Sequence, residues 1–218
     1  MKRIALLGLL GALVLPCQAF ASDWGLDAHG GTLGFGAELN YTLNSYFTTR
    51  VDFNRYTYDY TGTKEQIAYD FQLHLKSEAL YLDWHPFAGI FRVTAGYLNN
   101  KNEITAAAVP QASYTINGHT YTAAQVVTLN GDITFNSGAP YFGIGWSTVG
   151  STSTGLGVSF DLGVLMQGSP KVQLTATGAA TSSSQFKSDL AAEQGKVQND
   201  VNNYKTYPVI AIGIVYRF

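Results

Sequence analysis

The segment Tyr207 to Phe218, YPVIAIGIVYRF, alternates between two kinds of side chain up to the last residue of the chain. Ile210, Ile212, Ile214, Tyr216 and Phe218 fall on one side; Val209, Ala211, Gly213, Val215 and Arg217 fall on the other. Successive side chains of a strand point to opposite faces, so the first set forms an unbroken apolar stripe. A strand of this length with an apolar outer face is enough to cross a bilayer when tilted. The last strand of a soluble sandwich can carry the same local pattern, so the rest of the chain has to decide.

The opening residues favour the membrane. Lys2 and Arg3 precede an apolar run from Ile4 to Leu15, and Ala19-Phe20-Ala21 offers small residues two apart. These features predict a cleaved secretory signal peptide over 1–21 and a mature domain over 22–218. The run is too short for a transmembrane helix. Cys17 follows Pro16, where lipoprotein cleavage wants a small residue, so cleavage after Ala21 is expected instead. That leaves a mature chain with no cysteine, which excludes disulfides and thiol chemistry.

Composition agrees. Only 13% of the 218 residues are charged, about half the usual share. Mean hydropathy is +0.02. Gly (23), Tyr (14) and Phe (12) suit strands, tight turns and aromatic girdles. Without Lys2 and Arg3, 11 basic residues face 15 acidic ones and the net charge falls from −2 to −4. With no basic patch, nucleic acid is not an expected partner.

The mature chain reads as one hairpin after another. Leu33, Phe35, Ala37, Leu39 and Tyr41 alternate with polar or small residues, as do Phe47, Thr49, Val51 and Phe53. Beyond Phe53 the large residues change parity to Tyr56, Tyr58 and Tyr60, which predicts either a bulge or the membrane boundary. Thr61 to Gln66 reads as a polar loop. Tyr69 to Trp84, Phe91 to Tyr97, Val127 to Asn136, Tyr141 to Trp146, Leu156 to Met166 and Lys171 to Thr177 supply further strands. Tyr114 to Tyr121 reads as a small hairpin closed by a type I′ Asn117-Gly118 turn, standing out of the membrane. From Ser182 to Tyr204 the apolar residues Phe186, Leu190, Val197 and Val201 recur near helical spacing, which predicts a short amphipathic helix in a loop near the C-terminus. It reads as a structured loop packed on the barrel rim, or as a lid, plug or docking element.

The expected fold is therefore all-β: a closed antiparallel transmembrane β-barrel of 8–10 strands. Nine segments qualify, and barrels of this kind have an even number. Adding Trp24 to Ala28 gives ten; moving Lys171 to Thr177 into an external excursion gives eight. Ten keeps the turns at Thr42, His85, Ser137 and Gln167 together on the periplasmic side, and the sequence favours it for that reason.

Alternation places Glu38, Arg50, Asp52, Asp70, His74, Lys76, Glu78, Arg92, Asp132 and Asp161 on the polar, inward face. In a narrow lumen such groups are expected to pair, because an unpaired buried charge is costly. A narrow polar pore is the competing use of the same residues. The four histidines, His29, His74, His85 and His119, sit in no Gly-x-Ser-x-Gly or His-Glu-x-x-His context, and no acidic cluster has ligand spacing. No enzyme activity, cofactor or metal is expected.

Several stretches carry a family likeness. They are Gly31-Thr32-Leu33-Gly34-Phe35-Gly36, Leu82-Asp83-Trp84-His85-Pro86-Phe87, Ala139 to Trp146 and Asp161 to Lys171. With them the chain resembles small Gram-negative outer-membrane β-barrels in the style of the OmpW and OmpA-like transmembrane domains. The ending Tyr216-Arg217-Phe218 resembles the C-terminal strand of such barrels. The resemblance implies export to the outer membrane, contact with outer-membrane lipid and lipopolysaccharide, and an assembly signal at Tyr216 and Phe218 read by the barrel-assembly machinery. It implies no catalytic residue. The function expected is a structural or surface-interaction barrel; the alternative is a small porin-like channel for small or hydrophobic solutes, and a lipid-active enzyme is the least favoured reading.

Overall fold

A computed structural model describes residues 23–64, 67–109, 111–150 and 153–218. The expected signal peptide and Cys17 lie outside the described residues. The strands are β1 (Trp24–Gly31), β2 (Gly34–Asn44), β3 (Phe47–Lys64), β4 (Ile67–Trp84), β5 (Phe91–Asn100), β6 (Glu103–Ala108), β7 (Ser113–Ile116), β8 (His119–Thr122), β9 (Thr128–Thr134), β10 (Gly138–Ser147), β11 (Gly155–Leu165), β12 (Lys171–Thr177) and β13 (Tyr207–Arg217). Between β12 and β13 lie a short 3-10 turn, Ala179–Ser182, and an α-helix, α1 (Ser184–Val201).

Eight strands close on themselves in the order β1, β2, β3, β4, β5, β10, β11, β13 and back to β1, every pair antiparallel. The closing seam pairs Leu26 with Tyr216 and Ala28 with Ile214. Closure leaves no open edge around the barrel, which is what a backbone surrounded by hydrocarbon requires.

The count is eight, reached by a different route from either sequence repair. Trp24–Gly31 does join the barrel, while both Thr128–Thr134 and Lys171–Thr177 leave it. The turns near Thr42 and His85 stay at the end that carries the termini. Those near Ser137 and Gln167 lie at the opposite end, where Asn100 N–H donates to the Ser137 carbonyl (2.6 Å) and Asn136 N–H to that of Gln167 (3.2 Å). All the long connections therefore sit at one end, the loop end, and only short turns at the terminal end.

Beyond the loop end, β3 and β4 continue as an 18-residue ribbon in one unbroken register, from Phe47↔Trp84 to Lys64↔Ile67. The second half of β4 pairs with β5, from Ser77↔Asn100 to Trp84↔Val93; its first half pairs with β6, from Tyr69↔Ala108 to His74↔Glu103. β9 and β12 extend this second sheet, so a five-stranded cap, β3-β4-β6-β9-β12, grows out of the barrel wall. The parity change past Phe53 is thus not a bulge: it falls where the ribbon leaves the barrel. The β7–β8 hairpin and α1 pack on the cap around Tyr114, Ile116, Val126, Leu129 and Phe186. Asn117 and Gly118 both have positive φ (49° and 82°), as a type I′ turn needs. The helix packs on this sheet rather than on the barrel rim.

The outside of the barrel is apolar. At the terminal end each strand presents one large residue outward: Trp24, Tyr41, Phe47, Trp84, Phe91, Trp146, Leu156 and Tyr216. These side chains follow one another through the pairs Trp24↔Tyr41, Phe47↔Trp84, Phe91↔Trp146 and Leu156↔Tyr216. Above this ring Leu26, Leu39, Val51, Leu82, Val93, Val158, Phe160 and Ile214 are all exposed.

Candidate functional site

The inside of the barrel is filled in three tiers. At its centre Arg50 (β3) reaches Glu38 on β2 (2.6 Å), Asp83 on β4 (2.6 Å) and Asp161 on β11 (3.5 Å). Arg92 (β5) binds Asp161 from the other side (2.8 Å) and lies 3.8 Å from Asp83. Thr94 donates to Asp83 (2.6 Å). One guanidinium thus gathers carboxylates from three strands, and its five fixed donors suit that task. Its Cζ lies 4.8 Å from the Tyr81 ring centroid, a cation–π contact. His29 joins the tier between Asp27 (3.3 Å), Asp52 (3.4 Å) and Asn54 (3.0 Å), and the Ser159 hydroxyl donates to Asp27. Inward glycines make the room: a Cβ at Gly145 would lie 2.7 Å from both Arg92 Nε and Asp161 Oδ1.

Toward the loop end the lumen turns apolar. Leu33, Ala79, Tyr81, Leu98, Ala139, Tyr141, Leu165 and Val209 form one buried cluster. Tyr81 meets Tyr141 edge-on with centroids 5.1 Å apart. Toward the terminal end Arg217 donates to Thr42 and to the Gly150 carbonyl (3.0 Å). In the turn below, His85 donates through Nδ1 to the Gly89 carbonyl (3.1 Å), and burial pushes its imidazole below the ordinary value. Two of the voids left between these tiers measure about 30 and 40 Å³.

The cap has its own polar anchor. Asp189, buried on α1, accepts from Tyr121 (2.5 Å), Asn117 (3.2 Å) and Gln185 (3.1 Å), with His119 Nδ1 at 3.0 Å. The Tyr121 bond holds the Asp189 carboxyl below the usual aspartate range, and the same bond pushes the phenol up to about 12. One turn further on, the Gln194 and Gln198 side-chain carbonyls accept from the N–H groups of Leu174 and Val172 (both 3.0 Å), and Gln198 also donates to Pro170 (2.9 Å). The helix thereby seals the outer edge of β12. Between α1 and the sheet a cavity of about 90 Å³ remains, where β6 and β9 set Ala106 opposite Gly131 below Leu190 and Val197.

Of the inward residues expected from alternation, the lumen brings together Glu38, Arg50, Asp52, Arg92 and Asp161. Asp70, His74, Lys76, Glu78 and Asp132 lie outside it, which corrects the sequence reading. In β4 the inward set is Ser77, Ala79, Tyr81 and Asp83, so Lys76 and Glu78 share the outer face with Leu80 and Leu82. Glu78 pairs with Lys101 (2.8 Å) on that face. Asp70 accepts from Thr61 (3.0 Å) and His74 neighbours Thr57 (3.4 Å) on the exposed ribbon. Asp132 lies beside Asn130 and Thr175 on the open face of the cap. Reasoning from sequence missed Asp27, His29 and Asp83. Asp83 was within reach, since Leu82 and Trp84 on either side of it are apolar. Tyr216 and Phe218 sit together at the terminal rim, edge-to-face at 5.2 Å.

No family model matches the chain, and no curated relative does. Solved structures do. Acinetobacter baumannii CarO2 superposes with a TM-score of 0.59 at 23% identity, covering 91% of this chain and 99% of that one. Acinetobacter baumannii CarO gives 0.58 at 24%, covering 90% and 98%. A major outer membrane protein from Thermus thermophilus gives 0.50 at 15%, covering 91% and 100%. At such identities the likeness speaks for the fold: a closed eight-stranded antiparallel barrel with a helix near its C-terminus.

Proposed function

We propose that this protein is an integral outer-membrane barrel with a sealed lumen that holds a folded cap at the cell surface, where the cap meets lipopolysaccharide or other ligands. The observation that carries this reading is the filled interior: a tier of bridged charges lies under an apolar plug of Tyr81, Tyr141, Leu98 and Leu165. A conducting lumen needs continuous water, and the two voids described between these groups, about 30 and 40 Å³, have room for only a few waters each. The apolar belt, the aromatic ring and the segregation of long connections to one end support the membrane placement, with the terminal end in the periplasm. Export through a cleaved signal, assembly through Tyr216 and Phe218, and kinship with OmpW- or OmpA-type barrels belong to the same reading. The protein acts without enzyme chemistry: His119 and Asp189 are engaged in fastening the hairpin to the helix.

Purified protein in planar bilayers tests the proposal. The wild type is expected to give no discrete current steps, whereas the Tyr81→Ala/Tyr141→Ala double variant, which strips both rings from the plug, is expected to give them. Regular steps from the wild type would replace this reading with a porin-like channel. Product formed from lipid A or phospholipid by the wild type and lost in His119→Ala would replace it with a lipid-active enzyme.

A further inference from the structure

At the loop-end rim of the apolar belt the outer face changes within one residue pair from hydrocarbon to positive charge. Phe53 is the last large apolar residue of β3 on that face, and Arg55 follows it. Arg55 lies directly opposite Lys76 in the β3–β4 register. Like charges opposed across a ladder are destabilising unless something anionic lies between them. Glu78, on the same face beside Lys76, is hydrogen-bonded by Lys101 (2.8 Å) and Asn99 (2.9 Å), so one carboxylate serves several cations. Lys101 is tied to the same spot by its backbone N–H, which donates to the Lys76 carbonyl (2.9 Å). Three cations and one carboxylate thus share the rim. An open hollow of about 430 Å³ lies on the barrel wall at this rim, lined by Arg55, Lys76 and Glu78 and by Phe35, Ala37 and Phe53. It exists because Ala37, opposite Phe53 and next along the outer face from Phe35, is small.

A cationic rim beside an apolar hollow fits one amphiphile: a phosphate over the cations with an acyl chain along the wall. We propose that Arg55 and Lys76, with Lys101 beside them, bind the phosphate of an acylated, phosphorylated glycolipid of the outer leaflet, lipid A in chemistry, and that the hollow floored by Ala37 takes one of its chains. The phosphate relieves the Arg55–Lys76 repulsion through charge-assisted hydrogen bonds, and the acyl chain covers apolar surface that nothing else in the chain covers. This site rests on the outer-membrane reading above, with the loop end outward.

The test uses full-length mature protein in detergent micelles, with its fold checked by heat-modifiable migration on a gel, and retained lipid counted by native mass spectrometry. The probes are bisphosphorylated lipid A, its dephosphorylated form, and inorganic phosphate. The wild type is expected to retain lipid A and neither of the other two. Removing a cation near an anionic headgroup costs roughly fivefold in retention, so Arg55→Gln/Lys76→Gln is expected to lose about 25-fold. Arg55→Lys/Lys76→Arg keeps the charge and is expected to retain lipid A. Ala37→Phe fills the hollow with the cations untouched, and is also expected to lose lipid. Equal retention of phosphorylated and dephosphorylated lipid by folded wild type, or undiminished retention by the Gln double variant and by Ala37→Phe, overturns the site and leaves the barrel reading intact. Protein that is folded and monomeric in plain buffer overturns both.

Discussion

Arg50 is the residue on which the lumen depends. Its guanidinium stands between carboxylates from β2, β4 and β11, so removing it leaves Glu38, Asp83 and Asp161 facing one another in a closed space. Breaking a buried ion pair from one side costs roughly 3–5 kcal/mol, and Arg50→Met is expected to lose that much in urea unfolding from micelles. Arg50→Lys keeps the charge without the fork and should lose less. Asp189 plays the corresponding part in the cap. Its folded pKa lies below the ordinary 3.8, so its contribution is complete above that pH and fades as pH falls below 3.8 through the lower folded value. The hairpin should therefore stay docked on the helix at pH 5. Below pH 3.8, and in Asp189→Asn at every pH, limited proteolysis should cut within Ser113 to Thr122 while the barrel stays heat-modifiable.

The elements show where alternation is a sufficient guide and where it fails. Every barrel strand whose outer face meets the apolar belt along its whole length, such as Leu156 to Val164 or Ile210 to Tyr216, could be read correctly from period two alone. Strand β4 could not. Its outward positions run Trp84, Leu82, Leu80 and then Glu78, Lys76, His74, because one face of one strand passes from hydrocarbon into water. Its inward positions run Asp83, Tyr81 and then Leu75, Leu73, Phe71, from a polar lumen into the apolar core of the cap. A reader of the sequence follows polarity, so half of the expected lumen charges fell on the wrong side. Strands β9 and β12 misled for a related reason: a cap sheet with one covered face has the same period as a membrane strand. No local signal marks which neighbour a strand will pair with. The edge caps are equally invisible in sequence, since Gln194 and Gln198 look like ordinary surface residues of a helix. Replacing both with Ala is expected to speed amide exchange at Val172 and Leu174 several-fold, because each loses a bond worth about 1 kcal/mol. Exchange at Ile212 and Ile214 in the barrel should not change. Unaltered exchange at β12 would mean the helix leaves that edge unprotected.

At the scale of the molecule, one closed wall separates three environments: a bridged interior, an apolar exterior and a cap built by extending two strands beyond the rim. The three tryptophans, Trp24, Trp84 and Trp146, all lie in the outward ring at the terminal end and so report directly on what covers the belt. The decisive measurement is tryptophan fluorescence of the wild type reconstituted into vesicles of brominated lipid, set against quenching by aqueous iodide. The account predicts strong quenching by lipid bromines near the headgroup end of the chains and little by iodide. Ready quenching by iodide with none from brominated lipid would contradict it, because the apolar belt would then be facing water or another protein surface.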